Sequence, residues 1–95
     1  MLHDPREHPQ YDEALDVLCD LSPFPLPLKD LAEDHGYGAQ SELSPILKRL
    51  RSVHKIDVQV VNHGQRVISV ARHCWPRAEE LASRYFQTVY ESALL

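Results

Sequence analysis

The cationic side chains of this 95-residue chain are concentrated in one stretch, which limits the chemistry that the sequence can support. Residues 48–77 hold seven Lys or Arg side chains against a single acid, Asp57, a formal charge of +6. Residues 1–47 carry −8 and residues 78–95 carry −2, so the total of −4 conceals this division. Charges of opposite sign are more evenly mixed on an ordinary solvated surface. The segregation therefore indicates a surface that faces a polyanion.

Residue types suited to metal binding or catalysis are present, but their spacing matches no known motif. His54, His63, His73 and Cys74 could ligate a metal, yet no recognised zinc spacing connects them. Cys74 and Cys19 form no CxxC pair, so we expect two reduced thiols and not a disulfide. No GxSxG, HExxH or phosphate-binding loop occurs. We therefore expect no metal, no cofactor and no enzymatic activity, and no small-molecule substrate is evident.

Apolar spacing predicts the elements that carry the basic stretch. Residues 41–52 have a helical stripe and a short, polar, basic outer side. Residues 56–61 and 66–72 alternate in hydropathy around the Gly-containing turn 62–65, which predicts a β-hairpin. The stripe consists of Leu43, Ile46, Leu47, Leu50 and Val53. A helix should therefore lead directly into a hairpin.

Two shorter helices should precede this unit. The first begins near Tyr11 and ends near Leu21, with its acids Asp12, Glu13, Asp16 and Asp20 expected to face solvent. The proline-rich segment SPFPLP that follows cannot continue a helix. The sequence predicts an extended connector there and leaves open whether part of it forms a short strand. The second helix covers 27–35 and stops at Gly36, after which GYG turns the chain. Residues 1–10 read as a loosely ordered arm.

Pro45 leaves two interpretations of the third helix open. With Ser44 as N-cap and Pro45 as the first helical residue, the helix has only about two turns. With Ser41 as the cap, Pro45 lies at the fourth position and removes one hydrogen bond. We favour the second interpretation because Leu43 then joins the apolar stripe.

The last segment predicts a long helix over 76–95 with an unusually wide apolar face. Pro76 and the acids behind it are typical of a helix start. The wide face has two explanations: it covers the first helix within a monomer, or it also forms a homodimer seam. We favour the homodimer, with a partner-facing edge made of Phe86, Tyr90, Ala93 and Leu94.

Taken from Tyr11 to Arg72, the order helix, extended link, PLKDLAEDHGYG, SELSPILKRLRSVHKIDV, hairpin tip NHGQR and return strand resembles a winged helix-turn-helix DNA-binding domain. The resemblance implies an α+β fold of three helices and a two-stranded β-hairpin wing, here with an added C-terminal helix. On this resemblance, residues 11–75 form the winged-helix domain and residues 76–95 form the dimerisation helix. One departure is Val-His-Lys at 53–55, where a Gly often separates helix from wing.

The resemblance further implies that 41–52 is the recognition helix and 62–66 the wing tip. The expected partner is double-stranded DNA, bound by a small dimeric regulator. The alternative is a winged helix used for protein contacts, which the acidic total and the Ser-rich outer face support. No apolar run is long enough to span a bilayer, and the first ten residues are too polar for a secretory signal, so we expect a cytoplasmic protein. The expected DNA contacts are Ser41, Ser44, Lys48, Arg49, Arg51, Lys55, His63, Gln65 and Arg66.

Overall fold

The computed structural model describes residues 4–22, 24–62 and 64–91 and has the α+β class that the sequence predicts. Short 3-10 helices cover Pro5–Glu7, Gln40–Leu43 and Arg72–Cys74, and a π-helix, Gln87–Glu91, continues the last α-helix. The principal elements are, in chain order, helix α1 (Glu13–Leu21), strand β1 (Leu26–Pro27), helix α2 (Leu28–Asp34), helix α3 (Ser44–Ser52), strands β2 (Val58–Asn62) and β3 (Arg66–Val70), and helix α4 (Trp75–Phe86).

The sheet is antiparallel and has three strands in the order β1-β3-β2. The expected count of two strands was therefore wrong, because the proline-rich connector supplies β1. Leu26 pairs with Ile68 of the central strand, which on its other side pairs with Val60 of β2. Proline cannot donate a ladder hydrogen bond, and Pro27 accordingly lies on an edge strand. The arrangement is compatible with the winged-helix resemblance.

The core lies between the helices and one face of the sheet. Ile46, Leu47 and Leu50 of α3 are buried, as the apolar stripe predicts, whereas Val53 is exposed because the helix ends at Ser52. The largest fully buried side chains come from every layer: Val17, Leu18, Leu21, Leu31, Leu43, Leu50, Ile56, Ile68 and Val89.

The start of α3 matches neither sequence interpretation in full. The α-helix begins at Ser44 with Pro45 in its first turn, where a missing N–H removes no helical hydrogen bond. Ser41 does not cap it; Gln40–Leu43 instead form a 3-10 turn that carries the fully buried Leu43 into the core. Leu43 thus joins the apolar stripe without lengthening the α-helix.

The corner between α3 and β2 contains a non-glycine residue in the left-handed conformation. Lys55 has φ of 60°, a conformation that costs a residue with a Cβ about 1 to 2 kcal/mol. Its Nζ donates to the carbonyl of Ser52 at 3.0 Å, and Ile56 N donates to Leu50 O at 3.0 Å. The departure from the winged-helix pattern is thus absorbed as local strain.

Helix α4 packs along α1 and closes the core. Ala78, Ala82 and Tyr85 are buried, as is Val89 in the π-helical extension, so this part of the wide apolar face covers the chain's own core. The predicted helix extended to residue 95, and residues 92–95 lie outside the described residues. Within the described ranges no helix combines the length and apolar character needed to cross a membrane.

Candidate nucleic-acid interface

Two of the predicted contact cations are free of protein partners. Lys48 is exposed on the outer side of α3, and Arg66 is exposed at the first residue of β3. Neither side chain makes a hydrogen bond or ion pair with any residue of 4–22, 24–62 or 64–91. Ser41 and Ser44, the small polar residues before and at the start of α3, are exposed as well. These four side chains are available to a ligand.

A groove of about 410 Å³ connects the start of the α3 segment to the wing, and we call it the α2–wing groove. Its lining includes Lys29 from α2, Gln40 and Ser41 from the 3-10 turn, and Arg66 from β3. Glu33 is its one acid. Sequence analysis did not identify Lys29 as a site residue, because this lysine lies within the block of residues 1–47, whose charge is −8.

Gln40 adds an unsatisfied polar group to this groove. Its Oε1 atom is buried and has no hydrogen-bond partner in the described part of the chain. Buried polar atoms are nearly always paired, so this oxygen is an exception. The amide can also rotate to present its NH₂ group, since oxygen and nitrogen are assigned from the surroundings.

Arg49, by contrast, is occupied within the protein. Its Nη2 lies 3.0 Å from Asp12 Oδ2, and its Nε donates to both carboxylate oxygens at 3.2 Å. His54 Nε2 also lies 3.0 Å from Asp12 Oδ2. We call Asp12, Arg49 and His54 the Asp12 cluster. Arg49 can bind a phosphate only if its ion pair with Asp12 breaks first.

The Asp12 cluster also begins α1. Asp12 is the N-cap, and its Oδ1 accepts the Ala14 N–H at 3.0 Å. Burial alone would raise the pKa of this carboxyl group, but the hydrogen bonds from Arg49, His54 and Ala14 N together outweigh burial and lower the pKa. Asp12 is therefore held as a carboxylate that joins the start of α1 to the end of α3.

Two further predicted contacts, Arg51 and Lys55, are bound to backbone carbonyls. Arg51 Nη2 donates to Val58 O at 2.9 Å, which attaches α3 to the first residue of β2. Lys55 Nζ donates to Ser52 O, as described above. Gln65 is exposed in the wing turn beside Gly64, whose φ is +80°. His63 lies outside the described residues.

The remaining acids of α1 are not the solvated row that the sequence predicts. Asp16 is partly buried and accepts hydrogen bonds from the hydroxyls of Tyr85 and Tyr90. Glu13 accepts one from Tyr37. Burial, followed by that bond, raises the pKa of Tyr37 to about 12. A further contact joins α1 to the end of α2, where His35 Nε2 lies 2.6 Å from the exposed Asp20.

The predicted dimer residues divide between internal and exposed positions. Phe86 is 46% exposed, although its ring stacks on Tyr90 at 5.2 Å between centroids. Tyr90 is partly buried, with its hydroxyl donated to Asp16 on α1. Ala93 and Leu94 lie outside the described residues.

A second groove lies between α1 and α4, and we call it the α1–α4 groove. Its larger part, about 330 Å³, is lined by Cys19 and Phe86 among others, and the adjoining part, about 220 Å³, by Trp75. Ser22 and Glu79 line both parts, so the two are neighbours. Trp75 is 49% exposed, with its indole N–H donated to Val70 O at 2.9 Å.

Comparison with protein-family models, with curated proteins and with solved structures finds no match for this chain. Its function is therefore inferred from the arrangement of its own residues.

Proposed function

We propose that this chain is a winged-helix protein that binds double-stranded DNA as a small homodimeric regulator. The element order α1-β1-α2-α3-β2-β3 supports the winged helix, because β3 lies at the centre of the sheet between β1 and β2. In that arrangement α3 follows the turn of a helix-turn-helix unit, and the loop between β2 and β3 is the wing.

The observation that carries the proposal is that three exposed cations of this unit, two of them in one groove, have no carboxylate partner among the described residues. Lys29 and Arg66 line the α2–wing groove together with Ser41 and Gln40. Lys48 is exposed on α3, seven residues after Ser41 in the sequence. Three cations without carboxylate partners among the described residues would meet phosphates without first breaking an ion pair.

The nature of the α3 face indicates that the phosphate backbone supplies most of the affinity. Ser41, Ser44 and Lys48 offer few of the bidentate contacts that read base edges. Gln65 and Arg66 at the wing are suited to phosphate or minor-groove contacts. Sequence preference should therefore be weak in one copy of the domain and should depend on two copies acting together.

A second copy of the chain would bind through the α1–α4 groove. Phe86 and Trp75 are each about half exposed there, and Phe24 on the neighbouring connector is 71% exposed. Aromatic side chains such as these are enriched at protein interfaces. The α1–α4 groove shares no lining residue with the α2–wing groove, so dimerisation and DNA binding are compatible.

The proposal is tested by titrating random duplex DNA with the full chain at several salt concentrations. Binding through phosphates must weaken steeply with salt, by about one unit of log–log slope for each phosphate neutralised. Lys48→Ala and Arg66→Ala should each weaken binding to all sequences and flatten the slope by about one unit. Unchanged affinity and slope in both variants would exclude this surface as the DNA contact.

A protein-binding module is the second candidate, and the edge strand β2 favours it. Val60 and Val61 are exposed on this edge, although the alternating pattern predicts Val60 to be buried. An exposed strand edge with apolar side chains is a site where an extended peptide can add as a further strand. Such binding would depend little on salt, which separates the two candidates in the same titration.

A further inference from the structure

We propose that Asp57, His73 and Cys74 form a binding site for a thiophilic divalent cation of the Zn²⁺ type. One ligand atom from each residue lies within 4.8 Å of the other two. His73 Nε2 and Asp57 Oδ2 are 3.0 Å apart. The proposal is independent of DNA binding, because none of the three residues lines the α2–wing groove.

The donor set suits a borderline-soft metal. Zn²⁺ is bound in proteins by thiolate sulfur, imidazole nitrogen and carboxylate oxygen, usually with tetrahedral geometry. Its bond lengths of about 2.0 to 2.3 Å place neighbouring ligand atoms about 3.3 to 3.8 Å apart. The 3.0 Å between His73 Nε2 and Asp57 Oδ2 and the 4.8 Å limit on all three separations are close to that range, and the exposed Asp57 and His73 side chains can adjust to a shared ion.

Backbone hydrogen bonds fix the position of the sulfur. The Asp57 N–H points at Cys74 Sγ, with N and S 3.5 Å apart, while the thiol lies 3.9 Å from Lys55 O. These two backbone contacts hold Cys74 Sγ beside Asp57 and leave it within reach of a shared ion. On binding, the thiol would lose its proton to solvent and would keep the Asp57 N–H as its outer contact.

The two segments that supply the ligands are already joined by the fold. Asp57 O accepts the Ala71 N–H at 2.8 Å, and Ala71 O accepts the Cys74 N–H at 2.9 Å. His73 and Cys74 belong to the 3-10 turn that leads into α4, and Asp57 immediately precedes β2. A bound cation would therefore clamp the base of the wing to the start of α4 and leave an open coordination position for water.

Adjacent His73 and Cys74 matched no zinc motif in the sequence, since the third ligand is 16 positions upstream of His73. Only the pairing of Asp57 with Ala71, which continues the β2–β3 ladder, brings the carboxylate to the His-Cys pair. The simpler explanation of these contacts is an exposed histidine–aspartate ion pair beside a buried thiol. The experiment must therefore detect the sulfur–metal bond itself.

Cobalt(II) is the probe, because a Co²⁺–thiolate bond gives a charge-transfer absorption that an ion pair cannot produce. Titration of the full reduced chain should develop this band, saturate at one equivalent, and lose the band when Zn²⁺ is added. His73→Gln changes an exposed side chain and should weaken binding by at least the ~10- to 100-fold that loss of an outer-shell partner causes. Cys74→Ser should abolish the band.

Two control variants separate this site from other ligands on the chain. Cys19→Ser removes the second thiol, and His35→Gln removes a histidine on a different element; both should titrate like the wild type. Zn²⁺ should also raise the unfolding temperature of the wild type and leave that of His73→Gln unchanged. No charge-transfer band in the wild type, or a band that Cys19→Ser abolishes and Cys74→Ser retains, would overturn the proposal.

Discussion

Replacing Asp12 with alanine should destabilise the fold far more than removal of an ordinary surface acid. The substitution removes three contacts at once: the N-cap of α1, the interaction with His54, and the ion pair with Arg49. The first holds the start of α1, and the other two tie α1 to the end of α3. No other described carboxylate is held by both an arginine and a histidine.

The magnitude can be estimated contact by contact. Loss of an Asp N-cap costs about 1 kcal/mol. The interaction with His54 is shielded, with side-chain exposures of 16% and 14%, so a hydrogen bond to a charged group there contributes about 1.5 kcal/mol. The Arg49 side chain is 53% exposed, so solvent screening makes its pair a minor part of the total. The expected loss from the other two contacts is about 2.5 kcal/mol, or roughly 10 to 20 °C in Tm for a domain of this size.

Urea unfolding of wild type, Asp12→Ala and Asp34→Ala at pH 7 measures this loss. Asp34 is the matched control, because it is an exposed acid at the end of α2 whose side chain makes no hydrogen bond or ion pair within the described ranges; its removal should change stability by less than about 0.5 kcal/mol. Equal free energies of unfolding for the two variants would refute the role assigned to the Asp12 cluster.

The same cluster has a defined pH dependence. The pKa of Asp12 is lowered in the folded chain from its ordinary value of 3.8. A lowered folded-state pKa contributes stability above the ordinary value, and this contribution is lost as the pH falls through the folded-state pKa. Asp12→Asn keeps a capping side chain but not the charge, so it should be less stable than wild type at pH 7, and the difference should shrink below pH 3.8. A difference that is independent of pH would contradict this.

Three further changes test other parts of the structure. Asp12→Asn also releases Arg49, so affinity for random duplex DNA should rise about two- to tenfold at low salt; weaker binding would contradict this. Lys55→Gly relieves the left-handed strain and should leave stability unchanged or raise it by up to about 1 kcal/mol in urea unfolding, whereas a loss above 1 kcal/mol would mean that the lysine side chain holds the corner. Phe86→Glu places a charge in the proposed dimer interface, so sedimentation should find folded monomers of this variant where the wild type is dimeric. A wild type that is monomeric at micromolar concentration would contradict the proposed homodimer.

The parts of the fold that follow from apolar periodicity were predictable from the sequence. Four residues of the α3 stripe are buried and a hairpin forms, as the spacing predicts, but Val53 and Val60 of the same patterns are exposed. The three-strand sheet was harder to predict, since two residues of β1 give no period and proline argues against a strand. Leu26 and Pro27 pair with Ile68 and Val67 of β3, which are about 40 residues away in the sequence, so no local pattern indicates the pairing.

The candidate site was predicted only in part, because net charge along the chain does not show which charges are already paired. Lys48 and Arg66 are free, but Arg49 is bound to Asp12, which is distant in the sequence. Lys29 was not predicted as a contact, because the acids around it in the sequence make the charge of residues 1–47 negative. The helical wheel likewise placed the acids of α1 outside, although Asp16 accepts hydrogen bonds from two tyrosines of the C-terminal segment. Partners distant in sequence decide each of these cases.

The most direct test of the proposed function compares two double variants with the same net charge. Lys48→Ala/Arg66→Ala removes the two free cations, and Arg6→Ala/Arg84→Ala removes two that are paired with Asp4 and Glu80. Both change the formal charge of the chain from −4 to −6. Affinity for random duplex DNA, measured over a range of salt, should fall at least tenfold in the first variant with a slope flatter by about two units, and should stay near wild type in the second. Equal losses in both variants, or no binding by the wild type at low salt, would contradict DNA binding by α3 and the wing.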